Sequence, residues 1–199
     1  MSTLYAKILA ASVRLFTAFF GRWRRLTILA RVSDHLAPEA RVSVNGIDIT
    51  LFVPDRTAVY WPRYGFASEP GTLAWIDGFG AGDVLYDIGA NVGIFTIYAA
   101  KARGVRVVAF EPNPFSFRVL VRNLELNGIT SLVTPLCLAI GGATGRQSLT
   151  LNHMESGSIG NRLAGAKEAN AMISLDTLAF SLDDLGGWLP APSHLKVDV

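Results

Sequence analysis

The chain has 199 residues, half of them hydrophobic and 17% charged. That composition excludes a disordered or acidic solvating chain and allows one sizeable core with an appendage. Its single cysteine, Cys137, excludes an internal disulfide and points to a reducing, cytoplasmic setting. The net charge of +2 is unevenly spread: residues 1–33 carry six basic side chains and no acid, leaving 12 basic against 16 acidic over the rest, a net of −4. The mild acidity of the body argues against nucleic acid as a partner there.

The first 37 residues read as a basic amphipathic helix. Leu4, Ile8, Leu15, Phe19 and Leu26 share one face, while Lys7, Arg14 and Arg25 share another. The uncharged run between Lys7 and Arg14 is far short of the roughly 20 residues a bilayer span takes. It also lacks the long apolar segment and cleavage site of a signal peptide. Two uses fit this pattern: packing the apolar face on the chain's own domain, or peripheral contact of residues 1–33 with the inner face of an anionic membrane.

Residues 38–80 form a lead-in. In "RVSVNGIDITLFV", six apolar residues alternate around Asn45-Gly46, which predicts a β-hairpin with Val44 and Ile47 paired across the turn. Residues 54–72 are rich in turn residues and aromatics and read as loop, followed by a short helix in "GTLAWIDGFG". From residue 81 onward apolar strands alternate with helical patterns: strand 84–87, helix 92–102, strand "VRVVAF", helix 114–127, strand "SLVTPLCLAI". Such alternation predicts a mostly parallel, doubly wound α/β sheet. Beyond it, "GGATG" suggests an added hairpin between "LCLAI" and "RQSLTL", residues 152–171 read as loop, and "MISLDTL" reads as a strand and helix cap before a helix expected over 177–187.

In "VLYDIGANVGIFTIYAA" an apolar strand stops at Asp87 and two glycines, Gly89 and Gly93, precede a helix at once. A parallel sheet binds ligands beyond the carboxyl ends of its strands, and glycines mark places where backbone approaches a ligand or a neighbouring element. Glu111 ends the next strand, where a carboxylate can accept hydrogen bonds from both ribose hydroxyls of an adenosine ligand. Two cofactors fit so far, a nicotinamide dinucleotide and S-adenosylmethionine. The order Asp87-x-Gly89-x-x-x-Gly93 departs from the dinucleotide G-x-G-x-x-G. An acid at the strand end would repel a pyrophosphate but suits the cationic amino group of a methionine moiety, so the spacing favours S-adenosylmethionine.

The stretches "DIGANVG", "AFEPNP", "NLELNG" and "LKVDV", in that order, resemble the successive motifs of the FkbM family of S-adenosylmethionine-dependent methyltransferases, over residues 66–199. That resemblance implies a Rossmann-like class I methyltransferase fold and O-methylation of a hydroxyl on a sugar, glycolipid or secondary metabolite. It implies that Asp87, Gly89, Asn91 and Gly93 line the methionine end, that Glu111 holds the ribose, that Pro112 and Asn113 shape the adenosine pocket, and that Ala139 lies near the adenine. Similar proteins continue the last motif as K-x-D-x-E-G with further strands and helices. This sequence stops at Val199 and therefore reads as a domain incomplete after its fourth main strand.

An alcohol acceptor must lose a proton, so a placed base would assist the transfer. Asp198 is the candidate, as base or as cofactor-orienting group, with Lys196 on the same face of the strand to neutralise it. His153 is a weaker alternative in a polar loop. His35 and His194 have no evident partner, and the three histidines show no metal-ligand spacing. The reading is thus a cytoplasmic methyltransferase with a small-molecule or glycan acceptor. Its rivals are an NAD-dependent oxidoreductase and a non-catalytic, membrane-associated module.

Overall fold

A computed structural model of the chain describes residues 2–158, 162–164 and 173–198. The chain divides into two compact units, Met1–Pro38 and Glu39–Val199. The first holds two helices, α1 (Ser2–Phe16) and α2 (Arg22–His35), where the apolar pattern predicts one. The break has a local cause. The Thr17 hydroxyl turns back onto the carbonyls of Val13 and Arg14, at 2.8 and 3.2 Å, and Gly21 is extended, with ψ at 152°. Leu15 and Phe19 therefore do not share a continuous helical face with Leu26. Among the described residues no helix is long and apolar enough to cross a membrane.

The second unit opens with the expected hairpin, β1 (Glu39–Val44) and β2 (Ile47–Phe52), with Val44 opposite Ile47. Asn45 and Gly46 take the left-handed conformations that a two-residue turn demands, with φ of 50° and 81°. Ile49 and Leu51 are buried from this hairpin in the main core, with Val42, Val44 and Ile47 packed beside them. Residues 54–72 are more ordered than a loop. A 3₁₀ turn (Thr57–Val59) and a π-helical turn (Trp61–Gly65) lead into α3 (Phe66–Ser68) and α4 (Pro70–Asp77). Asp55 Oδ1 accepts from the Ala58 amide at 2.9 Å, and the prolines at 62 and 70 stand in first helical turns, where they cost no hydrogen bond. Turn-forming composition here signals short helices.

Four parallel strands form the main sheet in the order β10-β3-β4-β5: β3 (Val84–Ile88), β4 (Arg106–Phe110), β5 (Val133–Leu136) and β10 (His194–Val197). Helix α5 (Ile94–Arg103) joins β3 to β4, and α6 (Pro114–Leu126) joins β4 to β5. The chain thus moves outward from β3 to β5, and β10 returns on the other side of β3. That reversal is the switch point of a doubly wound, Rossmann-like sheet. One face buries α5, α6 and the hairpin around Leu85, Val107 and Leu120. The other buries Val84, Tyr86, Ile88, Val108 and Phe110 under Phe180, Leu182, Leu185 and Leu189. All five positions of β3 are buried, which is why its sequence is an uninterrupted apolar run apart from Asp87.

Between β5 and β10 the chain builds a second sheet, order β6-β9-β7-β8, from β6 (Ala139–Ile140), β7 (Gly145–Leu151), β8 (Arg162–Ala164) and β9 (Ile173–Phe180). Three expectations change here. The run 131–140 is two strands in two sheets. The strand after "GGATG" pairs antiparallel with β9 rather than with "LCLAI", and β6 joins the far side of β9 in parallel. The helix over 177–187 does not form: "ISLDTLAF" alternates with period two and completes β9 across from β7, and turns follow it. Of the polar stretch 152–171, residues 159–161 and 165–171 lie outside the described residues, as do Met172 and Val199.

Candidate functional site

The switch point lies at the carboxyl ends of β3, β4 and β10. Beyond Ile88 the chain turns through Gly89, Asn91 and Gly93, all left-handed, with φ of 78°, 53° and 83°. The amides of Gly89 and Ala90 both donate to the Phe110 carbonyl, at 2.9 and 3.0 Å, which fastens the turn to the end of β4. Asparagine is among the few residues with a side chain that tolerates this conformation, so Asn91 fits without a glycine's freedom. Gly93 is different. A Cβ there would come within 2.3 Å of Leu120 Cδ1 on α6. Its missing side chain makes room for a helix, so the close approach inferred from sequence is to an element of the fold at this position.

Asp87 is 1% exposed, held in the core of β3. Its Oδ2 accepts from the Thr96 hydroxyl at 2.6 Å. Among the described residues its Oδ1 has no hydrogen-bond partner, and the Lys196 ammonium stands 3.9 Å away. Burial pushes the Asp87 carboxyl up, while Lys196 and Thr96 pull it down. Lys196 comes to this place because β10 pairs with β3 in a register that sets it opposite Asp87. Its Nζ also lies 3.3 Å from Asp198 Oδ2 and 5.1 Å from the centre of the Phe95 ring. Asp198 is the solvent-facing member, its side chain 65% exposed, with its amide donating to the Ile88 carbonyl at 3.0 Å. The expected Lys196–Asp198 pair is present; the buried Asp87 is a third member that the sequence did not connect to them.

Glu111 follows β4 directly. Its two oxygens accept from the backbone amides of Asn91, at 2.7 Å, and Asn113, at 2.8 Å. Burial raises its carboxyl to about 7, against the lowering pull of those two amides. Each oxygen keeps a second lone pair for a further donor. Pro112 is half-buried beside it. Asn113 is wholly buried and caps α6, its Oδ1 accepting from the Phe115 amide at 3.0 Å. Ala139 is 3% exposed and pairs with Ala179 in the second sheet.

One part of the site has no motif to announce it. The loop 155–158 crosses the glycine turn. Asn91 Nδ2 donates to the Ser158 carbonyl at 3.3 Å, and Asn113 Nδ2 donates to the Ser158 hydroxyl at 3.4 Å. The indole of Trp61 donates to the Gly157 carbonyl at 3.1 Å, the Gly157 amide donates to Ser116 Oγ at 3.0 Å, and the Ser156 amide donates to Asp55 Oδ2 at 2.8 Å. Trp61 and Asp55, read as loop, thus hold a strap over the turn. His153, the weaker candidate base, is exposed on the same loop. His194 does have a partner: its Nε2 lies 2.9 Å from Asp83 Oδ2 and its ring stacks on Phe79 with centres 3.8 Å apart. That pair sits at the amino end of the sheet, away from the glycine turn.

The donor and acceptor balance identifies what fits. Among the described residues, Asp87 Oδ1 and Asn91 Oδ1 are buried without a hydrogen-bond donor at the end of β3. Unpaired buried acceptors are costly, and a cationic amino group is the partner that satisfies them. A pyrophosphate brings only more acceptors and negative charge, so the dinucleotide alternative does not suit this site.

No family model matches the chain. It is 39% identical over 98 residues to a tRNA (guanine(37)-N(1))-methyltransferase of Anopheles gambiae, covering 49% of this chain and 16% of that protein. It is 39% identical over 67 residues to the methyltransferase sdnD of Sordaria araneosa, covering 33% of this chain and 26% of that one. A solved SAM-dependent methyltransferase of Agrobacterium tumefaciens overlaps 51% of this chain and 33% of its own, at 15% identity and a TM-score of 0.40. The chain therefore spans a minor part of the relatives it matches. The expectation that no nucleic acid is involved does not survive these likenesses, since relatives in Anopheles gambiae, Anopheles darlingi and Danio rerio are named for a tRNA substrate. Its basis was the net charge of residues 34–199, and a sum of charges does not report where a nucleic acid would be held. Strand order and the switch point make this a Rossmann-like α/β fold, and its sequence is similar over part of its length to methyltransferases.

Proposed function

We propose that the chain carries the cofactor-binding part of a methyltransferase whose acceptor is RNA. The observation that carries the transfer reading is the pair of donorless buried acceptors at the end of β3, two strand positions from a carboxylate at the end of β4. In this reading Asp87 Oδ1 and Asn91 Oδ1 accept from the amino group of S-adenosylmethionine, and Glu111 accepts from its ribose hydroxyls. Bound there, the cofactor supplies an electrophilic methyl group. Lys196 opposes the effect of burial on the Asp87 carboxyl, and the strap at 155–158 excludes water from the glycine turn. Support for an RNA acceptor comes from the tRNA methyltransferases among the relatives.

A second reading, O-methylation of a sugar or metabolite hydroxyl, rests on the FkbM-like order of motifs and on Asp198. In that reading its carboxylate, exposed beside Lys196, takes a proton from an alcohol entering over β10. The first experiment is a calorimetric titration with S-adenosylhomocysteine, with NAD as control. Binding of the first alone supports methyl transfer; binding of NAD alone ends that reading. A labelled-methyl assay offering unmodified tRNA and, separately, a mixture of glycan and small-molecule alcohols then divides the two acceptor classes. Label in the alcohols and none in the tRNA overturns the RNA reading.

A further inference from the structure

The helical unit 2–38 exposes what a folded domain normally hides. Leu4, Ile8, Leu9, Leu15, Phe16, Phe19 and Trp23 are each more than half exposed, with Phe19 at 91%, Phe16 at 76% and Trp23 at 75%. No residue of α2 is buried. Large apolar side chains exposed in this number on so short a segment mark an interaction site. The same unit carries six cations and no acid before Asp34. Arg14, Arg22 and Arg25 line a recess of about 490 Å³ between the two helices, whose remaining walls are Phe20, Leu26 and Leu29.

We propose that this unit docks on the surface of an anionic lipid bilayer, with its aromatic and aliphatic side chains at the headgroup boundary and the arginine recess on a lipid phosphate. Three observations converge on that occupant. Cations crowded around an apolar surface call for a partner that is both negative and greasy. A second copy of the unit would bring twelve like charges together, so self-association is disfavoured. RNA would use the arginines and could stack on Phe19 or Trp23, but it offers nothing to Leu4, Ile8, Leu9 and Leu15. Neither helix is long enough to span, so the contact is peripheral and in the plane of the surface. The inference is independent of the acceptor proposed above.

The test is flotation of the full chain with vesicles of phosphatidylcholine alone and of phosphatidylcholine with about one-third phosphatidylglycerol. Two variants accompany it, Arg14→Glu/Arg22→Glu/Arg25→Glu and Phe16→Ser/Phe19→Ser/Trp23→Ser. Every substituted side chain is exposed or half-exposed, and circular dichroism checks that both variants keep their helices. The chain is expected to float with the anionic vesicles and not with the neutral ones, and each variant should bind at least about tenfold more weakly. Equal binding to both vesicle types overturns the proposal, as does anionic binding that survives the apolar substitutions. Retention of tRNA by the chain that the arginine variant abolishes, without vesicle binding, assigns the unit to nucleic acid instead.

Discussion

Glu111 is the residue whose ionisation ties stability to pH. Its folded value near 7 lies above the ordinary 4.5, so the folded state holds its proton more tightly than the unfolded chain. The stabilisation this gives is full below about pH 4.5 and is lost as pH rises through 7, by about 3 kcal/mol in all. Thermal midpoints between about pH 5 and 8 should therefore fall more steeply for the native chain than for Glu111→Gln, which has nothing to titrate there. Affinity for S-adenosylhomocysteine should run the other way, rising from about pH 6 to 8 as the carboxylate becomes free to accept from the ribose. Glu111→Ala should weaken that binding by about 1.5–3 kcal/mol in calorimetry; an unchanged affinity removes Glu111 from the ribose site. Gly93 makes a different prediction. Gly93→Ala combines a left-handed φ of 83° with a Cβ driven into Leu120, and should cost about 2–4 kcal/mol of unfolding free energy. If the clash is the cause, Gly93→Ala/Leu120→Ala will cost less than the two single changes together. The spacing of glycines was plain in the sequence, but spacing alone cannot say whether a ligand or a leucine fills the space.

Among the elements, α6 does more than connect two strands. Asn123, wholly buried, accepts from the Phe52 amide at 2.7 Å and donates to the Val92 carbonyl at 2.8 Å. Asn127, one turn later, accepts from the Thr50 amide at 3.0 Å and donates to the Thr50 carbonyl at 2.7 Å. The helix thus grips the outer edge of β2 and the far end of the glycine turn together. Asn123→Ala leaves two backbone groups without partners, each worth about 1–3 kcal/mol, and should lower the urea midpoint accordingly. Amide exchange at Phe52 should accelerate, and exchange in β4 should not. "NLELNG" was legible as a motif and Asn127-Gly128 as the end of a helix. The partners were not legible, because Thr50 and Phe52 lie 77 and 71 residues away and nothing local marks them. β9 was legible in part: "MISLDTL" reads as a strand, but the expectation of a helix from 177 ignored that β7 needed a partner along its whole other edge.

For the whole molecule, the period of the sequence was informative where elements alternate and pair with neighbours. β3, β4 and β5 with their two helices were readable because each apolar run was followed by a helical pattern of ordinary length. The second sheet was not, since its pairings skip over a polar stretch and mix parallel with antiparallel. The two compact units imply a separation of tasks. Removing residues 1–38 should leave the thermal midpoint of the remainder and its affinity for S-adenosylhomocysteine unchanged, while abolishing any vesicle binding. A fall of more than a few degrees on deletion would mean that the first unit supports the second.

The placement of Lys196 carries a consequence for the order of events during synthesis. The strands β3, β4 and β5 and the helices between them come from the contiguous residues 84–136, so their contacts close over short stretches of chain and can form as soon as that segment leaves the ribosome. β10 arrives only after the entire second sheet has been made. Until then Asp87 sits at the margin of a three-stranded sheet, open to water on the side where Lys196 will stand. Its last neighbour brings both the wall that hides it, which pushes its carboxyl up, and the positive charge that pulls it back down. A nascent chain stalled before residue 194 would have the glycine turn and Glu111 in place, with an acid still hydrated where the finished protein buries it beside Lys196.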